Sequence, residues 1–137
     1  MRPVIGPVLI GLLALAACAS PPRQPDPAGT VCIESKEHLG APGAVAVTME
    51  NNPALPDFIA SWVFAPSEVR AKVGQAIEFI SADPDEQHTA ELDSGDCGTD
   101  FLVFKARDDL VFKLPGSYPY YCLVHGTTMA GTITIEP

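Results

Sequence analysis

Outside residues 99–114, this chain nowhere runs more than about twelve residues without a proline or a glycine, the two strongest breakers of regular structure. Fourteen prolines and eleven glycines are spread along 137 residues. Proline removes a backbone donor and clashes inside a helix, so this punctuation disfavours long helices and favours short strands joined by turns. The length suits one domain. The apolar share, 47%, is enough for a packed core and excludes disorder throughout. Seventeen acidic against eight basic residues give a formal net charge of −9. That balance argues against nucleic acid as a partner, because phosphate binding needs a basic face. It suits a cationic partner or simple solubility.

Period-2 alternation picks out the strands. Residues 44–49 read as one. Val69, Ala71 and Val73 alternate with Arg70 and Lys72 in a one-sided strand, Gly74-Gln75 is a turn, and Ile77 to Ser81 follows, so the pair reads as a hairpin. Residues 82–100 form a polar, acidic loop around His88. Phe101 to Ala106 is apolar enough for a strand, and Asp108-Asp109 marks a turn. Leu110, Phe112 and Leu114 alternate with Val111 and Lys113. Pro115-Gly116 is a turn. Ser117 to Cys122 is strand-like, with Pro119 suited only to an edge or a bulge. Ile133 and Ile135 belong to a final strand. The expected fold class is all-β, a Greek-key sandwich or barrel of about seven to eight strands. Trp62, Phe64, Phe79, Phe101, Phe104, Phe112 and Met49 are expected in the core, and His38 in a surface or capping role.

The amino terminus is an address. Arg2 precedes an apolar or small stretch from Val4 to Ala17, shorter than the about 20 residues that span a bilayer. A basic start, an apolar run and small residues make a secretory signal. Leu15-Ala16-Ala17-Cys18 resembles a bacterial lipoprotein cleavage box. The resemblance implies a signal peptide at 1–17, a lipid on Cys18 and membrane anchorage facing the periplasm or the cell exterior. The alternative is an ordinary signal peptide cut just beyond Cys18. Ala19, where inner-membrane retention is associated with aspartate, leans towards the outer membrane if two membranes exist. Residues 18–30 hold four prolines and no apolar periodicity and read as a tether, partly polyproline II. The domain is 31–137.

Chemistry concentrates in Tyr120-Tyr121-Cys122-Leu123-Val124-His125-Gly126-Thr127-Thr128-Met129-Ala130-Gly131. A thiolate, an imidazole and a thioether fall in one inter-strand loop and can turn towards one point. Soft sulfur with imidazole suits copper, zinc or iron far better than magnesium or calcium. His88 lies upstream, with room for two strands before Cys122, so a sandwich can bring it back to the same end. Two histidines, a cysteine and a weak axial methionine are the trigonal blue-copper set.

These residues carry a family resemblance over roughly 62–137. Phe64-Ala65-Pro66, Val69, Val73-Gly74 and Ile77-Glu78-Phe79 resemble the early hairpin of cupredoxins of the plastocyanin, amicyanin and pseudoazurin type. His88-Thr89 resembles the first histidine ligand, Pro115 to Cys122 the strand entering the ligand loop, and Met129 to Ile133 its exit. The resemblance implies one type 1 copper bound by His88, Cys122, His125 and Met129. His125 and Met129 are separated by three residues, where plastocyanin-like chains usually have four and amicyanin-like chains two. It implies a single-electron carrier and no enzyme, since four protein ligands leave no open position. Electrons would leave by the edge of His125, with Leu123, Val124 and Ala130 as a small docking patch. The seven acids from Asp83 to Asp100 read either as a docking face for a basic cytochrome or as a solvated loop.

Cys32 and Cys97 remain. In an oxidising exported compartment a disulfide is the expected state; an extra metal ligand, a redox thiol or two free thiols are the open alternatives. Tyr118, Tyr120 and Tyr121 fit strand packing better than an electron path. The chain is expected to be a monomer. The competing functional reading is copper delivery or storage, which a Met/His-rich exposed tract would favour; three Met and three His leave none. A copper enzyme would need a second site of several histidines, and only His38 is left. A metal-free scaffold module is disfavoured by the joint spacing of four plausible ligands.

Overall fold

A computed structural model describes residues 30–56 and 59–137. The expected signal peptide at 1–17 and the expected lipidated tether from Cys18 as far as Gly29 lie outside the described residues. The described chain is all-β, with nine strands and no helix: β1 (Cys32–Ser35), β2 (Val45–Asn51), β3 (Trp62–Ala65), β4 (Glu68–Lys72), β5 (Ala76–Ser81), β6 (Glu91–Leu92), β7 (Arg107–Phe112), β8 (Gly116–Cys122) and β9 (Gly126–Glu136). They form two sheets, ordered β1-β7-β5-β2-β3 and β4-β9-β8-β6. Val47, Met49, Ile77, Phe79, Leu110 and Phe112 of the first sheet and Tyr120, Met129 and Ile133 of the second make the fully buried core between them. Most of the core comes from β-branched or aromatic residues at alternate strand positions, which suit a pleated, half-buried surface.

Nine strands replace the seven or eight expected, because β1, β3 and the two-residue β6 are too short to announce themselves by alternation. The expected hairpin over 69–81 does not form. β4 pairs in parallel with β9 (Val69 opposite Ile133), whereas β5 pairs with β2 and β7 in the other sheet. Gly74, at φ 80°, turns a corner between sheets instead of closing a ladder. The reason lies in burial: β4 exposes every second residue, Glu68, Arg70 and Lys72, while β5 is buried along most of its length as an interior strand.

Phe101 to Ala106 is not a strand. Only Leu102 is buried there, bridging to His88, and Phe101, Val103 and Phe104 are 56%, 60% and 46% exposed. Phe101 and Phe104 are therefore not core residues. Asp108 and Asp109 are not a turn but fully buried positions in β7. Asp108 accepts the N–H groups of Asp100 and Asp109, and Asp109 pairs with the His38 ring at 3.1 Å, which gives His38 a tethering role. Pro119 keeps its place in β8 because its missing donor lies on the side where β6 ends; on that side its carbonyl accepts Asp93 N–H.

The open edges of the sandwich are closed differently. On one side the chain runs directly from β3 to β4 through Pro66. On the other, a disulfide joins Cys32 on β1 to Cys97, just past β6. This removes the alternatives in which either cysteine binds metal or stays free. Close packing of the second sheet depends on Gly131. A Cβ there would overlap the Ser67 carbonyl oxygen, just before β4, and the buried ring of Tyr120 in β8. Gly131→Ala is expected to cost about 2 kcal/mol, the usual scale of overpacking, read as a lower urea midpoint with an unchanged slope. An unchanged midpoint would show that the contact relaxes freely.

Candidate metal centre

The site forms at the end of the sandwich where β8 stops and β9 starts. Cys122 is the last residue of β8, and its alternation with Tyr120 turns its sulfur inward. Gly126, at φ 61°, makes the tight turn that brings the chain back. The β8–β9 register then shifts: Tyr121 pairs with Ala130 but Cys122 pairs with Gly126. Three extra residues, 127–129, are accommodated there as a bulge. His125 lies at the turn, and Met129 returns on the inward face of β9, 1% exposed. Without the shift Met129 would lie opposite Cys122; with it, Met129 directly precedes Ala130, the partner of Tyr121.

His88 comes from the 82–90 segment of the same sheet's edge. Its N–H and C=O both bond to Leu102, at 3.0 and 2.8 Å, which fixes its backbone without a regular strand. Cys122 Sγ is 3.5 Å from His125 Nδ1 and 4.0 Å from His88 Nδ1. One donor atom from each of the three residues lies within 4.8 Å of the others. His88 and Cys122 are fully buried and His125 is half-buried. The structure thus brings together three of the four residues singled out from sequence and places the fourth, Met129, in the adjoining core.

The surroundings prepare these side chains. Asp83 Oδ2 is 3.3 Å from His88 Nε2, which leaves His88 Nδ1 facing Cys122. Asp83 Oδ1 accepts Asp85 N–H at 2.9 Å and Glu86 N–H at 3.4 Å. Burial pushes the Asp83 carboxyl up, yet hydrogen bonds led by the Asp85 N–H and the His88 ring together outweigh it and hold it below the ordinary value. Burial likewise pushes the Cys122 thiol up. The His88 ring, the Thr89 N–H and the His125 N–H and ring reverse this and bring it down to about 6 from 9.0. His88 is pushed down by burial and raised above its ordinary value by the Cys122 sulfur and Asp83. Both shifts favour the charged forms of the Cys122 sulfur and the His88 ring.

Sequence reasoning missed three contributors. Thr89 donates its N–H to Cys122 Sγ at 3.4 Å while its hydroxyl accepts Leu123 N–H at 2.9 Å, clamping sulfur and loop together. Its adjacency to His88 was the only signal. Asp83, read as one of seven acids of either a docking face or a solvated loop, is buried and serves His88; Glu91 is half-buried, and burial pushes its carboxyl up. Trp62, expected in the core, is half-buried and stacks on His125 with ring centroids 4.0 Å apart and planes at 24°. Of the residues expected to dock a partner, Leu123 and Val124 are 48% and 41% exposed, and Ala130 is exposed.

No family model matches the chain, and no curated protein matches it. Solved structures do. A reduced tryptophan-to-tyrosine variant of amicyanin shares the fold with a TM-score of 0.54 and 21% identity, covering 70% of this chain and 85% of that one. An oxidised methionine-to-leucine variant of amicyanin gives 0.53 and 19%, covering 69% and 83%. A purple cupredoxin from Nitrosopumilus maritimus gives 0.54 and 19%, covering 67% of this chain and 99% of that one. At these identities the likeness is one of fold.

Proposed function

We propose that this cupredoxin-fold protein binds one type 1 copper and carries single electrons between redox partners. One observation carries the reading: a buried cysteine sulfur with two imidazole Nδ1 atoms turned towards it, at 3.5 and 4.0 Å, at one end of the sandwich. The donor set fits copper, because a Cys with two His and a weak thioether nearby suits a soft, redox-active ion. His88, Cys122 and His125 would hold the metal, and Met129 would offer a weak thioether as a fourth donor. When bound, copper supplies a one-electron Cu(I)/Cu(II) couple. Amicyanin structures described as reduced, oxidised and Cu(I) forms are among those sharing this fold, which supports the choice of metal.

The chain's own part is to keep the donors where both oxidation states accept them. Asp83 fixes the His88 ring, the Leu102 bridge fixes its backbone, and Thr89 ties the sulfur to the loop. Four protein donors leave no open position for a substrate, so the reading is a carrier and not an enzyme. Leu123, Val124 and Ala130 surround the His125 edge as the docking patch, and the exposed acids Asp85, Glu86, Asp93, Asp96 and Asp100 favour a basic redox protein as partner. The reading includes export and anchorage through a lipid on Cys18.

Adding Cu(II) to the purified protein tests it. An intense visible band with narrow copper hyperfine splitting is expected. A colourless protein that retains Cu(I) would move the assignment to copper delivery or storage, and no binding in either state would sink it. Asp83→Asn probes the supporting carboxylate. Loss of its charge is expected to weaken copper 10–100-fold, the usual cost of disturbing a ligand's hydrogen-bond partner, and to raise the reduction potential. Chelator competition and a redox titration read both; unchanged values would make Asp83 merely structural.

A further inference from the structure

We propose that Trp62 is a positioning residue for His125, setting the plane of its imidazole by stacking where His88 uses a carboxylate. The inference rests on His125 being a ligand, as argued above. The two histidines are held in unlike ways. His88 has Asp83 on its outer nitrogen, is fully buried, and its backbone is bonded to Leu102 on both sides. His125 is half-buried in a turn. Among the described residues its ring is bonded to Cys122 Sγ alone, and its outer nitrogen has no partner. Metal-bound histidines normally gain their orientation from a hydrogen bond on that outer nitrogen. Here the remaining contacts are to rings: Trp62 at 4.0 Å and 24°, and His88 at 4.9 Å and 40°.

The stack is built by the fold and not by local sequence. Trp62 opens β3, the edge strand of the five-stranded sheet, in register with Asn51 of β2. His125 belongs to the β8–β9 turn of the opposite sheet. The indole therefore bridges the sandwich at the metal end. A near-parallel pair of rings at this separation resists tilting of either one, since tilting gives up the contact. It also covers one face of His125 against water while leaving the ring edge beside the exposed Leu123 and Val124. A ligand whose plane is held while its edge stays open is what a partner-facing electron path needs. Trp62 thus does for the exposed histidine what Asp83 does for the buried one.

Trp62→Phe and Trp62→Leu test this in the purified protein. Trp62→Phe keeps a smaller ring; Trp62→Leu removes the stack. The Zn(II) form, which is diamagnetic, reports the His125 ring protons by NMR. The Cu form reports the visible and electron-paramagnetic spectra and the Cu(I)/Cu(II) self-exchange rate. The expected result is a graded series. In Trp62→Leu the His125 ring protons lose their indole ring-current shift and broaden, the copper spectrum changes symmetry, and self-exchange slows about tenfold, the lower end of the cost of losing a ligand's supporting partner. Trp62→Phe falls between. Should Trp62→Leu fail to fold, Trp62→Phe against the native protein decides by the same readouts, with about a threefold slowing expected. Sharp His125 resonances, a native copper spectrum and self-exchange within twofold of native in a folded Trp62→Leu would overturn the proposal. If the native protein gave no type 1 spectrum, the copper reading would fall. The Zn(II) form would still judge the positioning role: His125 broadening on loss of the indole supports it, and an unchanged ring refutes it.

Discussion

Cys122→Ser is expected to abolish the intense visible band altogether and to weaken copper by more than about a hundredfold, since disturbing even the neighbours of a ligand costs 10–100-fold. A hydroxyl keeps a small hydrogen-bonding group at the same position but not the soft, ionisable sulfur. The metal-free protein gives an independent readout. Its thiolate absorbance should titrate with a midpoint of about 6, well below the ordinary thiol value, because His88, Thr89 and His125 together outweigh the burial of the sulfur. The sign follows: the folded value lies below the unfolded one, so the thiolate's contribution to stability is complete above about pH 9 and is lost as pH falls through about 6. The raised His88 has the opposite sign, so its contribution fades as pH rises through its folded value. The ultraviolet titration should be absent in Cys122→Ser. A native midpoint near 9 would mean that His88 and His125 do not face the sulfur in solution.

Removing the Cys32–Cys97 bridge should have the largest effect on stability. The two cysteines are 65 residues apart, and closing a loop of that length stabilises by about 4 kcal/mol in the chain-entropy account. For a domain of about 100 residues each kcal/mol moves the melting temperature by about 4–8 °C, so Cys32→Ala with Cys97→Ala should lower it by about 15 °C or more. The bridge also does a local task. It ties β1, the edge of the five-stranded sheet, to the residues after β6, the edge of the four-stranded one. Cys97 lies between β6 and Leu102, the residue that bridges to His88, so the double variant should bind copper more weakly as well as melt earlier. Calorimetry of the two proteins with and without copper separates the effects; a shift below about 5 °C in both states would contradict the account.

The donor types were legible because they are local. Cys122, His125 and Met129 lie in one loop, and no fold is needed to see that a thiolate, an imidazole and a thioether can meet there. His88 was legible less directly: the room for two strands before Cys122 lets a sandwich return it to the loop, and its likeness to a known ligand pattern then singled it out. Strands with clean alternation, such as 68–72 and 132–135, were legible for the same local reason: a period of two is written in consecutive residues. The partner of each strand was not. The turn at Gly74 has the composition of a hairpin, yet β4 and β5 go to different sheets, because β9 and β7 offer each of them a better-buried neighbour. Phe101 and Phe104 show the limit from the other side: apolar residues in a row read as core, but only Leu102 finds a place inside.

The sequence by itself determined that this is an all-β chain with a soft-metal donor set near its C-terminus, since side-chain chemistry and short-range periodicity are properties of consecutive residues. The tertiary structure alone decided which acid is buried beside His88, which aromatic ring lies on His125, and which strand edges the disulfide joins. Those contacts span up to 65 residues of chain, and their cost in chain entropy is recovered only when both sheets close over one core.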